Sequence, residues 1–306
     1  MRFRRVRVFL AAGATALTAA ATVLAAPAAG ASVVRPPAAL HPATPAKKTP
    51  GDLYYVAGGY IVRVPVSGGA AKRVVHVGDV SVSGIAIADN RLYWVTLTGA
   101  NDAISWVGLK GAPHAHMLVG RLDFPVGLVA ADGWLYWADG NAIGRVRPNG
   151  TKLSRQFIKL PQETGGGVAN GLATNGHFLF FSRCLDSEIG RANFGGGGVA
   201  YVKLPKSSCP QGLAVGGGEM YWAEIGGHVG RATVQGTHIT NNWLSIRTQD
   251  GPFNLAADDD NIYWDWGGVA GSPIHVGRTH VSGRGFESSI FIGQGAFLLT
   301  SPGANA

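Results

Sequence analysis

The stretch GLVAADGWLYWADGNAIGR, residues 127–145, decides the fold. It reads as a short apolar strand, a tight turn at Asp132-Gly133, a second strand through Tyr136-Trp137 and the start of a third at Ile143-Gly144-Arg145. An Asp-Gly pair tolerates the left-handed backbone that a two-residue hairpin turn demands. Aligned on Gly127, the pattern returns at Gly84, Gly171, Gly212 and Asn254, with separations of 43, 44, 41 and 42 residues. In every copy an aromatic pair begins nine positions after the anchor: Tyr93-Trp94, Tyr136-Trp137, Phe180-Phe181, Tyr221-Trp222 and Tyr263-Trp264. A repeat of about 40 to 45 residues built from short strands is the mark of a propeller blade.

A third strand follows each pair, written Ile/Val, Gly, Arg at 143–145, 189–191, 229–231 and 276–278, with Ile104-Ser105-Trp106 departing from it. Five residues later each copy has a glycine, at 111, 150, 196, 236 and 283, which reads as the turn into an outer fourth strand. The two ends complete the count. DLYYVA at residues 52–57 opens on the aromatic-pair strand with no first strand before it, while Gly295 begins a first strand, GAFLLTSPG, with no second after it. Together they make one blade, and pairing the C-terminal strand with the N-terminal blade removes the open sheet edges of the chain's ends. The expectation is an all-β, six-bladed β-propeller of four-stranded antiparallel blades spanning residues 52–306, closed by that join.

The strand-two tetrads, YWAD at 136–139 and YWAE at 221–224, with the Ile-Gly-Arg that follows, resemble the YWTD-type propeller of low-density lipoprotein receptors (class B repeats) and its bacterial secreted relatives. The other copies, YWVT, FFSR, YWDW and YYVA, depart from the tetrad, so the chain is similar to a degenerate form of it. The resemblance implies a binding or scaffold surface. It also implies that the tetrad carboxylates tie blades together, and several enzymes share the six-bladed form.

The first residues, MRFRRVRVFL, put four arginines ahead of an alanine-rich apolar run that ends in small residues at Ala29-Gly30-Ala31. This is the pattern of a secretory signal peptide over residues 1–31, leaving no stable membrane span after cleavage. Residues 32–51, rich in Pro, Ala and Thr, read as an extended linker. Setting those four arginines aside takes the formal charge from +8 to +4. The remaining basic residues are scattered, so the chain lacks an electrostatic track for nucleic acid. A secreted or cell-surface monomer is the expected setting, and there the two cysteines, Cys184 and Cys209, are expected to form a disulfide.

Loops between second and third strands, and those entering each first strand, belong on one face of a propeller. That face collects the candidate ligand-facing residues Asp139, Asn141, Asn170, Arg183, Asp186, Glu188, Glu224, His228, Asp265 and Trp266. Polar loops of this kind also occur as plain solvated rims. Around the channel mouth, the position before each anchor holds Ser83, Val126, Asn170, Gln211, Phe253 and Gln294, a ring without the carboxylate a hard cation prefers. No metal or cofactor is therefore expected. The leading expectation is a binding module for a protein, peptide or glycan. Its alternative is a channel-mouth enzyme, a metal-dependent lactonase-like hydrolase or a lyase, with His228 and Glu224 as its acid–base pair.

Overall fold

The structure is a computed structural model that describes residues 51–99, 101–111, 114–161, 169–224, 226–246, 251–267 and 274–293. Among the described residues, twenty-three strands form six antiparallel sheets in chain order. The third sheet shows the plan, with strands at Pro125–Ala131, Trp134–Asp139, Ala142–Val146 and Ser154–Lys159 running outward from the axis. Five sheets have four described strands, and the first has three, starting with Asp52–Ala57. The signal-peptide, linker and closing-strand expectations, including Gly295 to Thr300, lie outside the described residues.

Each sheet packs face to face on the next, and six apolar clusters bind neighbouring sheets. Tyr136 of blade 3 meets Phe181 of blade 4, Phe180 of blade 4 meets Trp222 of blade 5, and Tyr221 of blade 5 meets Trp264 of blade 6. The last cluster sets Tyr263 and Val276 of blade 6 against Leu53, Tyr55 and Val64 of blade 1, which brings the ring round to its start. Both faces of each second strand are thus buried, so these strands read as unbroken apolar runs instead of alternating ones.

The Ile-Gly-Arg motif has a steric cause. In blades 3 to 6 the second residue of the aromatic pair stands opposite the third-strand glycine: Trp137 against Gly144, Phe181 against Gly190, Trp222 against Gly230, Trp264 against Gly277. The ring lies flat across that glycine, and a methyl group added there would overlap it in all four. The small residue is a recess cut for the ring.

The arginine of the motif latches blade to blade. Arg145, Arg191 and Arg278 each donate from Nη1, at 3.2 Å, to the carbonyls of Phe194, Val234 and Val66. Each acceptor lies three residues beyond the corresponding arginine of the following blade. In blade 2, where Trp106 occupies the arginine position, Arg91 stacks on that indole at 4.0 Å and reaches Pro148 O, an acceptor it shares with the Tyr93 hydroxyl. The latch persists there although its residue has moved to another strand.

Candidate functional site

The central channel is walled by the first strands. Its described lining runs from Ser83, Val126, Asn170 and Asn254 at one end to Ala257 and Thr174 towards the other. Glycines at four of the five anchors let the strands converge: at Gly171 a Cβ would press on the backbone of the next first strand at Gln211, and at Gly212 on the backbone entering the next one at Phe253. The wall is built mainly of apolar residues, and its mouth offers hydroxyl and amide groups. Ser83 already donates to Pro125 O at 2.6 Å, and the side-chain amide of Asn254 donates to Asp265 Oδ2 at 2.8 Å.

The carboxylates of the mouth face serve the fold. Asp139 Oδ1 accepts the backbone N–H of Asp123 at 2.9 Å, and Oδ2 accepts the indole N–H of Trp137 at 3.2 Å. Burial pushes its carboxyl above the usual range, opposed by those two hydrogen bonds. Glu224, 6% exposed, repeats the arrangement with one oxygen more fully used. Its Oε1 accepts from Trp222 Nε1 at 2.7 Å and from Ser208 Oγ at 2.5 Å, and its Oε2 accepts the N–H of Cys209 at 2.9 Å. Each tetrad acid therefore caps the indole two residues before it and pins the loop that enters its own blade's first strand. Asp265, 1% exposed, does the same for the loop into blade 6 from one position earlier, accepting the N–H groups of Phe253 and Asn254 at 3.2 and 2.8 Å. Desolvation pushes its carboxyl up to about 6.

Blade 4 breaks the pattern for a reason visible in its chemistry. Phe181 has no N–H to cap, and Arg183 replaces the tetrad acid. Buried at 2% exposure, Arg183 pairs with Asp186 and, through Nε, with Glu188 at 3.1 Å, while Lys203 closes the network on the other Glu188 oxygen. Directly beside it Cys184 and Cys209 are bonded to each other. The bridge joins the turn after strand two of blade 4 to the loop entering blade 5, and Ser187 tightens the same loop by donating to Ser208 O at 2.7 Å. Arg183, Asp186, Glu188 and Glu224 thus build one braced platform at the junction of blades 4 and 5.

The other candidates scatter. His228 stands opposite Glu224 in register, with Nδ1 buried and unpartnered, but Glu224 turns its oxygens to Trp222, Ser208 and Cys209. Trp266 stacks on His275 at 4.1 Å and donates to Ser288 O at 2.7 Å, while Asn141 is an exposed turn residue. Asn170 lines the channel. Among the described residues no three His, Cys, Asp or Glu side chains gather as a metal site.

Three large apolar side chains on this face are open to solvent. Phe124, Leu185 and Phe253 are 61%, 53% and 41% exposed, in the loop entering blade 3, the second-to-third turn of blade 4 and the loop entering blade 6. Phe124 holds φ 54° immediately before Pro125, a left-handed conformation costly for a bulky residue. Of the three, only Phe253 stands out in the sequence as a mouth position. An aromatic-proline pair in an otherwise polar loop is the signal that marks Phe124.

No family model matches the chain, and no curated protein matches it. Solved structures do. A chain of a nidogen/laminin complex superposes with a TM-score of 0.67 at 14% identity, covering 84% of this chain and 100% of that one. Virginiamycin B lyase from Staphylococcus aureus follows at a TM-score of 0.54 and 22% identity over 75% and 76% of the two chains. A gluconolactonase from Xanthomonas campestris gives 0.54 at 19% identity, over 69% and 76%. At these identities the likeness is one of fold: a six-bladed propeller of the architecture that also carries YWTD-type repeats.

Proposed function

We propose that the protein is an exported binding module that engages a protein, peptide or glycan with the face carrying the channel mouth. The observation that carries this reading is the division of labour on that face. Asp139, Glu224 and Asp265 spend their oxygens on capping N–H and O–H groups of their own blades, whereas Phe124, Leu185 and Phe253 stand out in solvent. Acids held this way brace loops, and exposed aromatics on braced loops are what recognition surfaces use as anchors. The disulfide supports an oxidising compartment, and among the described residues no helix is long and apolar enough to cross a membrane. Residues 1–31 as an export signal and 32–51 as a tether complete the reading.

A channel-mouth enzyme is the second reading, favoured by the buried, unpartnered His228 Nδ1 and by the lyase and lactonase among the structural neighbours. A photo-crosslinking residue placed at 124 or 253, and at 153 or 286 on the opposite face, separates the two in cells that make the protein. Discrete adducts from 124 and 253 alone, lost with Leu185→Asp, are expected. Equal adducts from both faces would overturn the binding reading, as would turnover of a lactone or of virginiamycin B that His228→Ala abolishes.

A further inference from the structure

Blade 4 is built two residues short, and the shortfall opens a slot. From the third-strand arginine to the leucine or isoleucine that follows the fourth strand the separation is 15 in blade 3 (Arg145 to Leu160) and in blade 5 (Arg231 to Ile246), but 13 in blade 4 (Arg191 to Leu204). Five of the six pairings between third and fourth strands carry a register shift, and the pairing of Glu188–Asn193 with Ala200–Lys203 does not. In blade 3 the extra residues deliver Phe157 onto the face towards blade 4, where its ring lies 3.5 Å from the Arg145 guanidinium and 6.1 Å from Tyr136. In blade 5 they deliver Trp243, 5.1 Å from Arg231 and 5.3 Å from Tyr221. Without the shift, Tyr201 falls on the opposite face of blade 4, edge-on to Phe181 at 6.0 Å. The ring that should cover Phe180 and Arg191 towards blade 5 is missing.

What remains there is a cleft of about 70 Å³ that opens to solvent, walled by Phe180, Ile189, Arg191, Val202, Met220 and Val234. Val202 fills the part nearest Gly236, where its methyl groups occupy the space a side chain at that turn would need. Arg191 holds the aromatic Phe178 at 4.8 Å on one side and donates to Val234 O, so it is already oriented for a second stacking partner. We infer that this cleft seats one ring of a flat aromatic small molecule, the rest of which faces solvent, in the place Phe157 and Trp243 take in their own blades. The sister blades supply the specification: a π-face over the arginine and an edge against the strand-two aromatic. This site lies between blades 4 and 5, outside the mouth face, and stands or falls independently of the binding role assigned there.

Indole is the probe and cyclohexanol the control. Met220 lines the cleft, whereas Met117 is 70% exposed on the outer strand of blade 2, so methyl-labelled methionine in the full chain gives a reporter and a built-in reference. Saturable displacement of the Met220 signal by indole, with Met117 unmoved and cyclohexanol about tenfold weaker, is expected. Replacing residues 200–203 by the blade 3 sequence SRQFIK restores the two residues and their ring. That variant should melt no lower than the parent and lose the indole response, and Arg191→Gln should weaken indole several-fold. No saturable shift at Met220 up to the solubility of indole, or an undiminished one in a folded SRQFIK variant, overturns the assignment.

Discussion

At the scale of single residues, the recurring glycine and the buried acids make different demands. Gly230 is the recess for the Trp222 ring, so a methyl group cannot be added without moving an indole packed between two sheets. Gly230→Ala is expected to cost about 1 to 3 kcal/mol by overpacking, read as a lowered midpoint in urea with an unchanged slope. An unchanged midpoint would show that the ring has room. Asp265 acts through protonation. Its carboxyl ionises near 3.8 in the unfolded chain and near 6 in the fold, because burial outweighs the hydrogen bonds from Asn254 and Phe253. Between those values the folded state keeps a proton that the unfolded state releases. The stability this group lends is therefore complete below about pH 4 and is lost as the pH rises through 6. The stability of wild type relative to Asp265→Asn should fall across that window and level off above it. A flat difference would mean that the carboxyl is not held in its protonated form.

Elements are where sequence and structure part company. The anchors, the aromatic pairs and the third-strand glycines lie at fixed spacing, and each spacing reflects a packing need that every blade shares, so the blades and their strands are legible from one end of the repeat to the other. The mouth-face acids are not legible in the same way. Asp139, Glu224 and Asp265 read in the sequence either as ligand groups or as structural ties, and only the geometry decides between the two, by showing their oxygens accepting from Trp137, Trp222, Ser208 and the incoming backbone. The change from tetrad acid to Arg183 looks like decay until Phe181 is seen to need no cap. The shortening of blade 4 is countable in the sequence, but its consequence depends on which face Tyr201 takes, and period-two alternation flips with every residue removed. The Cys184–Cys209 bridge closes a loop of 25 residues that includes strands three and four of this shortened blade. Replacing both cysteines by serine should lower stability by about 3 kcal/mol on loop-entropy grounds. Urea unfolding with and without a dithiol reductant measures this. A loss below about 0.5 kcal/mol would show that the Arg183 network and Ser187 brace the loop unaided.

For the whole molecule the governing fact is that a ring of sheets is stable only when its last interface is made. Five of the six interfaces join blades consecutive in the chain. The sixth joins residues about two hundred apart, Tyr263 and Val276 to Leu53 and Val64, with Arg278 donating to Val66 O across the seam. Long-range closure of this kind has a large entropic cost before its contacts form, so the seam is the natural weak point. The strand Asp52–Ala57 pairs with Tyr60–Pro65 along one edge, and its inner edge has no partner among the described residues, although Leu53, Tyr54, Tyr55 and Val56 are all buried. A strand so apolar, left as an edge, would recruit other chains. If GAFLLTSPG, beginning at Gly295, covers it as the repeat count requires, a chain truncated after Gly293 should associate in light scattering and melt at a lower temperature. Adding the GAFLLTSPG peptide in trans should restore the monomer by strand addition. A truncated chain that stays monomeric with its melting temperature intact would show that the first blade does not rely on the end of the chain.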